Sequence, residues 1–194
     1  MSLIAHFHSL PLAGLACAPA LPRPRAHAEP EDPALSQMTD LRSAACVVAD
    51  HLDSLAQTLH VMQRAGVHMA LVTGADGQLV GMVSRDDLHG ERPVQQALAD
   101  RVAHTDLPLD RLMTPLSQWQ VVDIGSIEHA CLGDVVATLR SHSLRYLLVV
   151  AREGGQTVLR GLFSARQLEA ALGTVIGANL HSRNFAELEA TLAH

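Results

Sequence analysis

The chain has 194 residues, 48% of them hydrophobic and 18% charged, with a formal net charge of −6. This composition describes a folded globular chain, long enough for one domain or for two half-domains with a shared core, and argues against a disordered one. The acidic balance offers no basic face to displace counterions from a phosphate backbone, which disfavours a generic nucleic-acid binder, and no polybasic membrane-surface segment is present.

Cys17, Cys46 and Cys131 are an odd set without a Cys-x-x-Cys spacing. Neither a disulfide framework nor a thiolate zinc site is suggested, and a reducing, cytoplasmic setting fits. The twelve His residues are scattered, with no His-Glu-x-x-His pattern, so no metal site is expected.

Residues 1–36 carry Pro11, Pro19, Pro22, Pro24, Pro30 and Pro33, a spacing that defeats a regular helix and reads as a flexible Pro/Ala-rich leader. The apolar run 10–21, followed by Ala26-His27-Ala28, resembles a secretory signal, yet no basic residue precedes it and prolines interrupt it. No run approaches the ~20 apolar residues that span a bilayer.

From Met38 onward the chain repeats itself. Met38-Thr39 recurs as Met113-Thr114, the run 67–72 recurs at 144–149, and Gly81 recurs as Gly161. The first unit, 37–105, predicts a strand near 46–48 and a helix over 54–65 with Leu55, Leu59 and Met62 on one face. Strands at 67–73 and 78–83 follow around Asp76-Gly77, a favoured hairpin pair, and a helix starts at Ser84. A connecting helix over 93–105 places Val94, Ala97, Leu98 and Val102 on one side.

The second unit, 106–173, repeats this order. It has a strand at 120–124, a helix carrying Leu132, Val135, Val136 and Leu139, and a hairpin of 144–150 with 157–163 around Gly154-Gly155. One such unit leaves an apolar sheet face bare, so the two are expected to bury those faces against each other as a single intertwined domain. The last segment, 174–194, reads as a C-terminal amphipathic helix through Phe185, Leu188 and Leu192, docked either on its own core or on a partner subunit.

Each unit closes on a strand that breaks into a helix start: Gly81-Met82-Val83-Ser84-Arg85-Asp86-Asp87, and Gly161 to Ser164 followed by Arg166 and Gln167. Together with Met113-Thr114-Pro115, the partial Met38-Thr39-Asp40 and Gly66-Val67, these residues resemble the tandem CBS-domain pair, or Bateman module, of small stand-alone bacterial proteins. The resemblance implies an α/β (α+β) fold of two tandem β-α-β-β-α units packed sheet to sheet as one module. It also implies homodimers, and a regulatory adenosine-containing ligand such as AMP, ATP or S-adenosylmethionine, with no cofactor required. The pattern is broken by Leu71 and Leu148 where proline is usual, by Asp40 for the lead-in proline, and by Gln167 for the second ribose carboxylate.

An ionised carboxylate can accept both hydroxyls of a ribose, which makes Asp87 the preferred ligand residue. Ser84, at a helix start, suits a phosphate, and Arg85 can add a guanidinium. Val67, His68, Met69 and Met82 complete this first site as an adenine slot, although the methionines also fit plain core and His68 fits an exposed strand position equally well. A second, weaker site gathers Thr114, Tyr146, Ser164, Arg166 and Gln167. Ser-x-x-Asp and Ser-x-x-Gln are also capping signatures, and at Ser164 and Gln167 capping is the preferred reading. No catalytic motif is present. The alternative to a nucleotide sensor is a ligand-free module of the same fold that dimerises or docks on another protein.

Overall fold

The computed structural model describes residues 27–176; residues 1–26 of the expected leader and most of the expected C-terminal helix lie outside them. The chain runs through β1 (Thr39–Asp40), β2 (Val47–Asp50), α1 (Leu55–Ala65), β3 (Met69–Thr73), β4 (Leu79–Ser84), α2 (Arg85–His89) and α3 (Glu91–Asp100). It continues with β5 (Thr114–Pro115), β6 (Val121–Asp123), α4 (Ile124–Glu128), α5 (Leu132–Ser141), β7 (Tyr146–Glu153), β8 (Gln156–Ser164) and α6 (Ala165–Leu172).

Local chemistry sets these boundaries. The Ser54 hydroxyl accepts from the Gln57 N–H to begin α1, and Gly66 at φ 67° ends it. Because helices α1 and α5 bridge them, β2 pairs in parallel with β3, and β6 with β7. The β3–β4 and β7–β8 pairs are antiparallel hairpins, turned at Gly77 (φ 74°) and at Gly154 and Gly155 (φ 56° and 82°), conformations that only glycine adopts freely.

Neither unit completes its own sheet. The strand orders are β2-β3-β4-β5 and β1-β8-β7-β6, so the lead-in of each unit forms the edge strand of the other's sheet. Asp40 lies opposite Gly161, and Pro115 opposite Gly81. A Cβ on Gly81 would stand 2.8 Å from the Thr114 carbonyl oxygen, and one on Gly161 2.8 Å from that of Thr39. Glycine is therefore what lets the exchanged strands approach. Asp40 adds a polar tie: its carboxylate pairs with Arg160 on β8 and accepts from the Arg42 N–H at 2.9 Å. Those two partners, Arg160 first, hold the Asp40 carboxyl below the usual range.

Alternation along the strands sends side chains to two kinds of core. Ala70, Val72 and Val83 bury with Met62 and Leu88 beneath the helices of the first unit, and Leu147, Val149 and Phe163 with Leu132 and Leu168 in the second. Met69, Leu71, Leu148 and Leu162 bury on the opposite faces, between the sheets. The two-unit α/β architecture packed sheet to sheet is the one the sequence predicts.

Several boundaries differ from expectation. The strand expected from residue 67 starts at Met69, because the Val67 N–H still donates to Met62 O at 3.0 Å as part of the α1 cap. That expected over 120–124 stops at Asp123, whose carboxylate accepts from the Gly125 N–H at 2.8 Å and starts α4. Helix α3 ends at Asp100 and buries Pro93 and Ala97, leaving Val94, Leu98 and Val102 at 50%, 75% and 42% exposure. Leu107, Leu109 and Leu112, beyond α3, are fully buried in the core of the first unit. Within the expected leader, Ala34 is buried in the second core and its N–H donates to Ala130 O at 2.9 Å, so this part is packed rather than loose.

Substituting Ala for Gly81 or Gly161 is expected to lower stability by about 1–3 kcal/mol, the usual cost of overpacking a close crossing. Urea denaturation measures it. An unchanged midpoint in both variants contradicts the exchange geometry.

Candidate functional site

The strand exchange creates two clefts along the seam, related by the internal repeat. In one, of about 290 Å³, Ser84 and Asp87 of the first unit face Thr114, Trp119 and Tyr146 of the second. In the other, of about 810 Å³, Ser164 and Gln167 of the second unit face Thr39, Val67 and His68 of the first. Each cleft thus takes its closing motif from one unit and its lead-in from the other.

The two expected sites are redistributed accordingly. Ser84, Asp87, Met69 and Met82 line the smaller cleft together with Thr114 and Tyr146, which were expected in the second site. Val67, His68 and Arg85, expected beside Asp87, line the larger cleft with Ser164, Arg166 and Gln167. Met69 and Tyr146 line both. The expectation grouped residues by neighbourhood in sequence, whereas the exchange pairs each lead-in with the opposite closing motif.

The hydrogen bonding of the closing motifs reverses the sequence preference. Asp87 Oδ2 accepts from the Ser84 N–H at 2.9 Å and from its hydroxyl at 2.6 Å, and Ser84 Oγ in turn accepts from the Asp87 N–H at 3.2 Å. This is a complete capping box, so Ser84 and one oxygen of Asp87 are engaged in starting α2. The other oxygen, Oδ1, lies 3.7 Å from Arg145 Nη1. At the second motif no box forms: Ser164 makes no capping hydrogen bond, and Gln167 Oε1 accepts instead from the Thr39 hydroxyl at 3.2 Å. A neutral amide competes less strongly than a carboxylate for a helix-start N–H, so Gln167 is drawn across the cleft.

Tyr146 stands between the clefts and its phenol is pushed up to about 12, first by burial and then by the negative charges of Asp86 and Asp87; Arg145 and Arg166 oppose the shift. Trp119, missed at the sequence level, is half-buried in the smaller cleft with its indole N–H donating to Thr114 O at 3.1 Å. Its position, just after Met113-Thr114-Pro115, is the signal that was available. Thr39 was missed as well, although the repeat makes it the counterpart of Thr114. Among the described residues no group of three or more His, Cys, Asp or Glu side chains is placed to hold a metal ion, and no helix is long and apolar enough to cross a membrane.

Residues 38–92 match the CBS domain family. No curated protein matches the chain. Among solved structures, the chain is similar to an uncharacterized conserved protein from Pyrococcus horikoshii, at 20% identity and a TM-score of 0.50, covering 73% of this chain and 92% of that one. It is also similar to CBSX2 in complex with AMP, at 22% identity and a TM-score of 0.47, covering 71% and 93%. A third likeness is to a hemolysin-like protein containing a CBS domain from Oenococcus oeni PSU, at 20% identity and a TM-score of 0.48, covering 73% and 91%. The first of these shows the shared fold.

The chain has one tyrosine, so its ultraviolet absorbance titrates Tyr146 alone. Its midpoint is expected near 12 in the folded protein, falling toward the ordinary value in denaturant. It is expected to move down in Asp86→Asn, because removing a nearby negative charge relieves the penalty on the phenolate. A midpoint already ordinary in the native protein contradicts this placement.

Proposed function

Because the chain carries a CBS domain at residues 38–92, and residues 106–173 repeat its order of elements, we propose that it is a regulatory module that binds an adenosine-containing nucleotide at the seam between its two units. The observation that carries this reading is the larger cleft. Leu41, Val67, Met69 and Leu162 give it an apolar lining, and Arg85, Arg145 and Arg166 outnumber the two carboxylates that also line it, Asp86 and Glu169. A pocket of this size with an apolar lining and a few polar groups suits a nucleotide, with the base on the apolar side chains and the phosphate at the arginines.

The start of α6 supports the same orientation, since no side chain caps it and Ser164 keeps its hydroxyl for a ligand. The Arg85 and Ala165 N–H groups both donate at 2.9 Å, to the carbonyls of His68 and Arg145, so the two helix starts differ further in: at α2 the Asp87 N–H goes to Ser84 Oγ, whereas no side chain caps α6. Phosphate binding therefore moves from Ser84, where the sequence suggested it, to the Ser164 side. In the smaller cleft, Asp87 Oδ1 and the Trp119 ring suit a ribose hydroxyl and a base.

A thermal-shift panel of AMP, ATP and S-adenosylmethionine tests this. A ligand at ~100 times its dissociation constant stabilises the fold by ~2.7 kcal/mol, and Arg166→Glu is expected to remove most of that gain for a phosphorylated ligand. No stabilisation by any of the three at millimolar concentration would sink the reading.

A second reading, an interaction module that dimerises, is favoured by one observation: Val94, Leu98 and Val102 form an exposed apolar stripe along α3 and just past its end. It predicts a concentration-dependent dimer that Leu98→Glu dissociates without loss of folding. Sedimentation measures this, and a chain monomeric at high concentration contradicts it.

A further inference from the structure

On the premise of the nucleotide reading above, we propose that Arg145 is a specificity-determining residue shared by the two clefts. It makes an anion in the larger cleft and a neutral hydroxyl-bearing ligand in the smaller one favour each other's binding.

Arg145 lines both clefts. Its carbonyl oxygen accepts from the Ala165 N–H at 2.9 Å, which fixes its backbone to the start of α6, on the larger cleft. Its side chain reaches the other way, placing Nη1 3.7 Å from Asp87 Oδ1 in the smaller cleft. Ser84 holds the other oxygen of that carboxylate, so Oδ1 is the one left to accept from a ligand hydroxyl. In this position the guanidinium screens it.

The Arg145–Asp87 contact is longer than a hydrogen bond and the Arg145 side chain is 46% exposed, so the pair is weak and readily exchanged. An anion beside Arg85 and Arg166 offers Arg145 a stronger, charge-assisted partner. Turning toward it uncovers Oδ1 as a full-strength acceptor. The same turn removes the one basic residue among those lining the smaller cleft, leaving Asp87 to repel a second anion. The larger cleft is thereby assigned to the phosphate-bearing ligand and the smaller to an uncharged nucleoside-like group. By linkage, each ligand must tighten the other by the same factor.

The test titrates the full-length protein with adenosine, with and without saturating inorganic triphosphate. Trp119, the chain's only tryptophan, reports on the smaller cleft by its fluorescence, and calorimetry follows the triphosphate. Adenosine is expected to bind about 5-fold tighter with triphosphate present, and triphosphate about 5-fold tighter with adenosine, the low end of the usual range because the pair is exposed. AMP, read at Trp119, is expected to bind more weakly in the presence of triphosphate. In Arg145→Gln the interdependence vanishes. In Asp87→Asn, triphosphate alone binds tighter than to the parent, a gain that a purely structural role for Arg145 does not produce. If both probes bind independently, or only one binds, the inference is overturned and the nucleotide reading stands. If neither binds, both fall.

Discussion

Two glycines and the strands that cross them govern this molecule. β1 and β5 are two residues long, too short to hold a place in a sheet by backbone hydrogen bonds alone. They are held because Gly161 and Gly81 leave room for the Met38-Thr39 and Met113-Thr114 backbones to lie close, with the methionine side chains packed over the gap. Since each strand is exchanged, neither sheet is complete without the other unit. The same exchange brings the sheets face to face, burying Met69, Leu71, Leu148 and Leu162. Burial of each such side chain contributes roughly 1.5–3 kcal/mol, so the interface is maintained by apolar burial while the crossings fix its register.

The clefts are a by-product of that geometry, and one difference between the repeats, Asp87 against Gln167, makes their helix starts unequal. Asp87 and Gln167 occupy equivalent places in the repeat. The carboxylate folds back onto Ser84 and closes the helix start on itself, whereas the amide turns outward to Thr39 and leaves the start of α6 without a side-chain cap. Replacing a charge by an amide thus changes which backbone donors are free to meet a ligand. The glutamine that made the second site look weaker in the sequence is what leaves Ser164 without a capping partner.

Features encoded by short-range chemistry were legible in the sequence. The hairpins followed from Asp76-Gly77 and Gly154-Gly155, α1 from the apolar spacing of Leu55, Leu59 and Met62, and the two-unit fold from the recurrence of Met-Thr, Gly and Ser at matched places. What stayed hidden depends on contacts distant in sequence. Val67 and His68 were grouped with Asp87 because they share a unit, yet the exchange turns them toward Gln167. The shared side of Val94, Ala97, Leu98 and Val102 did not reveal that only Ala97 of the four is buried, because the core beside it is occupied by Leu107, Leu109 and Leu112, which follow in the chain. Ala34 looked like leader because nothing local shows that the second unit leaves a gap for it.

The repeat also bears on why the proposed communication between the clefts runs through one residue and not two. His68 and Arg145 are counterparts, and their carbonyls do the same work, accepting from Arg85 N–H and Ala165 N–H at the starts of α2 and α6. Their side chains do not. Arg145 carries a planar guanidinium that suits a carboxylate or a phosphate, where His68 carries an imidazole. Across the seam, moreover, only Arg145 meets a carboxylate at the helix start, because the position facing His68 holds Gln167. The backbone is therefore two-fold symmetric and the side-chain pattern is not, and the proposed coupling draws on that difference: across the seam Arg145 meets a carboxylate and His68 an amide.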